Sequence, residues 1–170
     1  MNAIKRCLLL SLLLALPATA SPVRDLSPVG QAEMRWLFWK LYDVQLLSSD
    51  GRYREGDYPL ALSIRYAREI ESGKLVSVTL DEWQRLSIDW REEWAEQLQR
   101  LWPSVKQGDE LLLHVQESGH SVFYHNGQRL GEVTDPDFAP AFLAIWLSRD
   151  TREPAIRQRL LGQDAGVPDA

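Results

Sequence analysis

From Glu33 the chain alternates in polarity. Met34, Trp36, Phe38, Tyr42, Val44 and Leu46 fall on one side, and Glu33, Arg35, Asp43 and Gln45 on the other. A period of two predicts a long strand, or a bent pair of strands, with one buried face. Lys40 interrupts the apolar side. SSDGRYREGDYP at 48–59 reads as a polar turn region. In LALSIRY at 60–66 the alternation returns, with Leu60, Leu62, Ile64 and Tyr66 together. The period then changes. Thr79-Leu80-Asp81-Glu82 has the form of a capping box and predicts a short helix through Leu86. Asp89 is placed to cap a second helix, DWREEWAEQLQRLW, whose stripe of Trp90, Trp94, Leu98, Leu101 and Trp102 opposes charged residues. Pro103 ends it. LLLHV and SVFYH predict two more strands around Ser118-Gly119, and Asn126-Gly127 is a strong hairpin signal leading into a third. Asp135-Pro136-Asp137 predicts the start of an apolar helix with Phe138, Phe142, Ile145 and Trp146 inward. Pro154 starts and Gly162 ends a last, amphipathic helix. Strands and helices thus come in separate runs, β-β-β, α-α, β-β-β, α-α. That order predicts an α+β fold, one antiparallel sheet with helices on one face.

The termini read differently. Residues 1–20 combine Lys5 and Arg6, the short apolar run CLLLSLLLALPA and Ala18-Thr19-Ala20, the pattern of a secretory signal cleaved after Ala20. The run is shorter than the ~20 residues of a spanning helix. A periplasmic or secreted protein with no membrane span after cleavage is the expectation. Residues 21–29 read as a loose leader, 30–162 as one domain and 163–170 as a frayed tail. Cys7 is the sole cysteine and lies in the signal. The mature domain is therefore expected to have no disulfide or thiol chemistry and to rely on its core. The whole chain carries a formal net charge of −5, and more without Lys5 and Arg6. That argues against nucleic acid, or an anionic membrane, bound through bulk charge.

Common catalytic signatures are missing: no GxSxG, HExxH, P-loop or GxGxxG is present. His120 and His125 are five apart on a strand pattern, hence on opposite faces, and no metal or cofactor is expected. Lys40 has two readings, an anion anchor inside a pocket or a residue turned outward by a β-bulge. Arg65 and Arg68 flank Tyr66, and either guanidinium has the fork that grips a carboxylate. Tyr124 can offer a hydroxyl to a ligand or sit on a rim. The seven tryptophans either line a cavity or fill a core.

Taken together, LFWKLYDVQLL, LALSIRYAREI, GDELLLHV, FYHNGQRLGEV with DPDF, and FAPAFLAIWLSRDTREPAIRQRLLG resemble the chalcone isomerase-like family of exported bacterial proteins, relatives of plant chalcone isomerase and of fatty-acid-binding proteins of that fold. The resemblance implies an open-faced β-sandwich, with the terminal helix pair as its closing element and a candidate pocket wall. Ala32 and Leu75 fall near the positions of the plant enzyme's arginine and tyrosine, so its catalytic set does not carry over. Three functions follow as expectations. The first is a non-catalytic envelope binder of a fatty acid or other apolar acid, with Lys40, Arg65, Tyr66, Arg68 and Tyr124 as candidate ligand contacts. The second is an isomerase or intramolecular lyase on another substrate. The third is a structural or partner-binding protein with a filled core.

Overall fold

A computed structural model describes residues 23–163. The signal and all but the first residue of the expected tail lie outside the described residues. Six strands form one antiparallel sheet in sequence order: β1 (Ser27–Trp36), β2 (Trp39–Ser48), β3 (Leu60–Tyr66), β4 (Glu110–Val115), β5 (Ser121–His125) and β6 (Gln128–Val133). Between β3 and β4 the chain leaves the sheet to make α1 (Ser72–Arg85) and α2 (Glu92–Leu101). After β6 it makes α3 (Phe138–Leu147) and α4 (Pro154–Leu160). The α+β, open-faced arrangement is the one expected.

Alternation decides which face each strand residue serves. Val44, Leu46, Leu62, Ile64, Leu111, Leu113 and Phe123 are buried beneath the helices. Their neighbours in the chain face the other way, where Leu47, Ala61 and Leu112 form a small apolar patch. Val23 and Leu26 pack on that patch. Part of the leader therefore covers the open face, and β1 begins at Ser27, inside the segment read as loose.

Three local expectations change. The alternating run from Glu33 is two strands, and the turn falls at Leu37-Phe38, with Leu37 at φ 55°. Trp36 and Phe38 are thereby exposed, not buried. The Thr79 capping box is not a cap: α1 already starts at Ser72, and the Thr79 hydroxyl donates to the Leu75 carbonyl within the helix, at 2.9 Å. Asp89 does not cap α2, which begins at Glu92 after an extended Arg91. Arg91 instead pairs with Asp135 and Asp137 just before α3. Asn126 and Gly127 both take positive φ, as a tight hairpin requires.

α4 lies across β1, and a Cβ at Gly30 would overlap the carbonyl oxygens of Arg159 and Leu160. Glycine is what allows this backbone-to-backbone approach.

Candidate functional site

Beneath the helices the space divides in two. Around β5 and α2 it is filled by aromatic rings. Phe123 meets Trp102, Phe138 and Phe142 at centroid distances of 5.5, 6.0 and 5.8 Å. Trp94 meets Phe138 edge to face at 5.5 Å. Two indole N–H groups have acceptors here: Trp83 donates to the Ala141 carbonyl and Trp94 to Asp135, both at 2.9 Å.

Around β1, β2 and β3 the space is a cavity of about 730 Å³. That lies within the ~300–1,000 Å³ of small-molecule sites. The sheet supplies Tyr42, Ile64, Tyr66 and Leu111 as its floor. Leu75, Val78 and Thr79 of α1 form one wall, and Ile145 and Trp146 of α3 with Ile156 of α4 form another. Trp102 and Phe142, 5.8 Å apart, belong to both halves and make the partition. Charged side chains gather on the rim: Arg68, Lys74 and Arg152 against Glu69, Glu71, Glu82 and Glu153.

Polar groups are sparse and defined. Trp146 Nε1 donates to Tyr42 Oη at 3.1 Å, leaving the Tyr42 O–H to donate elsewhere. Burial pushes the Tyr42 phenol up to about 12, and burial, with Tyr42 beside it, raises Tyr66 further. Both stay neutral near pH 7, as hydrogen-bond donors rather than bases. Trp102 Nε1 is buried with no acceptor among the described residues. Glu82 is neutralised by Arg85 Nε at 2.9 Å and Arg152 Nε at 2.7 Å. Among the described residues, Arg68 and Lys74 make no ion pair. Arg68 lies 4.8 Å over the Trp39 ring.

The expected site residues separate. Tyr66 and Arg68 line the cavity. Arg65, one step along the strand, points to the open face, where it pairs with Glu110 at 3.2 Å beside a shallower polar depression of about 440 Å³. Tyr124 also lies on the open face, against the Leu47–Ala61–Leu112 patch. Lys40 sits at a register shift between Met34 and Arg35, the bulge reading, and bridges Glu33 at 2.8 Å and Asp43 at 2.7 Å. Asp43 and Glu33 hold its ammonium above the usual lysine pKa. Sequence reasoning missed Lys74, Thr79, Trp102 and Tyr42 as site residues. Tyr42 had a signal, since it shares a face with Tyr66 on the neighbouring strand. Ala32 and Leu75 divide, with only Leu75 on the cavity wall.

The family description "chalcone isomerase-like" matches residues 47–162. An uncharacterized protein of Haemophilus influenzae is 30% identical over 148 residues, covering 85% of this chain and 72% of that protein. Among solved structures, a fatty-acid binding protein of Arabidopsis thaliana aligns with a TM-score of 0.65 at 8% identity. The alignment covers 81% of this chain and 87% of that one. At that identity the likeness is one of fold.

Proposed function

Because the chain belongs to the chalcone isomerase-like family and keeps a cavity beneath its helices, we propose that it binds an apolar acid, a fatty acid or related lipid, between sheet and helices and performs no reaction on it. One observation carries this reading. An aliphatic and aromatic cavity stands beside a packed aromatic half, with two cations on its rim, Arg68 and Lys74, that have no carboxylate partner among the described residues. The solved neighbour of like fold is named for binding fatty acids. Burial of an acyl chain supplies the affinity: about ten methylenes at about 0.8 kcal/mol each give about 8 kcal/mol, a micromolar scale. Arg68 or Lys74 holds the carboxylate end, and the Tyr66 and Tyr42 hydroxyls serve oxygens that reach deeper. The two phenols carry no charge near neutrality, so they orient a ligand without abstracting a proton.

Titration with saturated acids of increasing length, followed by tryptophan fluorescence, tests this. A saturable signal that tightens with chain length is expected from Trp102 and Trp146 in the wall. Arg68→Gln combined with Lys74→Gln is expected to weaken the acid about tenfold and leave the matching alcohol unchanged. No saturable signal with any acid would return the protein to the structural reading. The same proposal places the protein in the cell envelope after cleavage at Ala20. Amino-terminal sequencing of envelope material, with Ser21 as the expected first residue, tests that part.

A further inference from the structure

The turn joining β1 to β2 carries Trp36, Leu37, Phe38 and Trp39, which are 65%, 77%, 89% and 58% exposed. Tight hairpin turns are usually built from asparagine, aspartate and glycine. This sheet follows that rule at Asn126-Gly127. At the β1–β2 tip it instead places leucine in the left-handed region, φ 55°, and follows it with phenylalanine. Four large apolar side chains in water, on a backbone that disfavours one of them, are not accounted for by folding.

Their position supplies the reason. Met34 and Leu41, on the two strands just below the tip, are cavity wall. Arg68 is on the cavity rim and stacks on Trp39. Val78, also in the wall, is 45% exposed. Apolar surface therefore runs from the tip into the mouth. We propose that this tip is a wedge that seats the protein on a lipid surface, with the cavity mouth facing the lipid, so that acyl chains pass between bilayer and cavity without crossing water. What is exchanged rests on the cavity reading; the docking itself does not.

Size and charge select a lipid surface over a protein partner. A stable protein interface buries roughly 1,200–2,000 Å² and takes some 20–30 residues a side, far more than a four-residue tip provides. An interfacial anchor needs only a few side chains, and tryptophan is the residue favoured at that depth. Most of the charge behind the tip is paired, Arg35 and Lys40 with Glu33 and Lys40 also with Asp43, which leaves Arg68 on Trp39 as a single cation beside it. Arg68 and Lys74 share the mouth with Glu69 and Glu71, so among the described residues no purely basic cluster faces the lipid, neutral lipid suffices and salt has little effect. No helix among the described residues is long and apolar enough to cross a membrane. Docking on the surface is thus the mode proposed.

Flotation with vesicles of pure phosphatidylcholine, and of phosphatidylcholine with phosphatidylglycerol, tests the wedge. The wild-type protein is expected to float with both, in low and high salt. Leu37→Ser combined with Phe38→Ser is expected to lower vesicle affinity at least about tenfold. The double variant is expected to keep the wild-type melting curve and its affinity for free acid in solution, because both side chains are exposed. Equal flotation of wild type and variant would overturn the proposal. So would the absence of flotation, binding only to anionic vesicles and lost in salt, or a tip-dependent dimer without vesicle binding. Failure of free acids to bind, with tip-dependent flotation intact, would remove the cavity reading and leave the docking surface standing.

Discussion

One side of the sheet holds both a solid interior and a hollow one, and the two meet at Trp102 and Phe142. In the solid half, rings fill space, and the Trp83 and Trp94 indoles find local acceptors in the Ala141 carbonyl and Asp135. In the hollow half, hydrogen bonds hold the walls apart. Trp146 is held to Tyr42, Thr151 donates to the Ile145 carbonyl at 2.8 Å, and Arg157 Nε to the Leu147 carbonyl at 2.8 Å. An unsupported space in a protein interior loses dispersion contacts and tends to collapse. Here the end of α3 and the following link are fixed by directional bonds, and the space persists. The contrast separates a filled interior from one that keeps an open cavity.

That contrast can be broken at several points. The largest effect is expected from truncation. Phe138→Ala, in the solid half, should lower unfolding free energy by about 3–5 kcal/mol, whereas Leu75→Ala beside the cavity should cost about 1–2 kcal/mol. Denaturant melts giving equal losses would show that the halves are not mechanically distinct. Alkaline titration comes next. Tyr42 is neutral in the fold and its phenol rises from 10.0 to about 12. Its contribution is therefore complete below pH 10 and is lost as pH climbs toward 12, by about 3 kcal/mol at the limit. Tyr42→Phe should flatten that part of the stability–pH curve, and an unchanged slope would exclude Tyr42 as its source. Adding volume sharpens the comparison further. Leu113→Phe, with no room, should cost about 1–3 kcal/mol, while Leu75→Phe should cost less than about 0.5 kcal/mol and weaken acid binding. The reverse order would mean that the cavity is not space a side chain can enter. The smallest effect belongs to the rim. Arg152→Ala removes an ion pair to Glu82; the Arg152 side chain is 61% exposed, and its loss should change stability by about 0.2–1 kcal/mol. A larger loss would make the rim part of the wall's support.

Much of the architecture was legible because its signals are local. Asn126-Gly127, Pro154 and Gly162 mark their own boundaries through backbone chemistry, and alternation in LALSIRY assigns Tyr66 to the helix side and Arg65 to the other. The expectation that grouped Arg65 with Arg68 ignored that parity. The start of α1 was hidden because Gly73, Val76 and Val78 are weak helix formers, while the Thr79 box imitates a start. Tertiary packing of Val76 and Trp83 overrides both. The tip at Leu37-Phe38 was hidden for the opposite reason, since no turn residue announces it. The cavity could not be read at all. Its volume depends on how far α1 and α3 stand from the sheet, a quantity that no single residue encodes.

With no side chain at residue 30, the first strand and the last helix meet backbone to backbone. A nascent chain releases β1 long before α4 emerges. Through that interval the helix-side face of β1 lacks its cover and Ile156 is missing from the pocket wall. Enclosure of the cavity thus depends on α4 settling on this glycine. A protease cut in the 148–153 link is therefore expected to loosen the Ile156 part of the cavity wall.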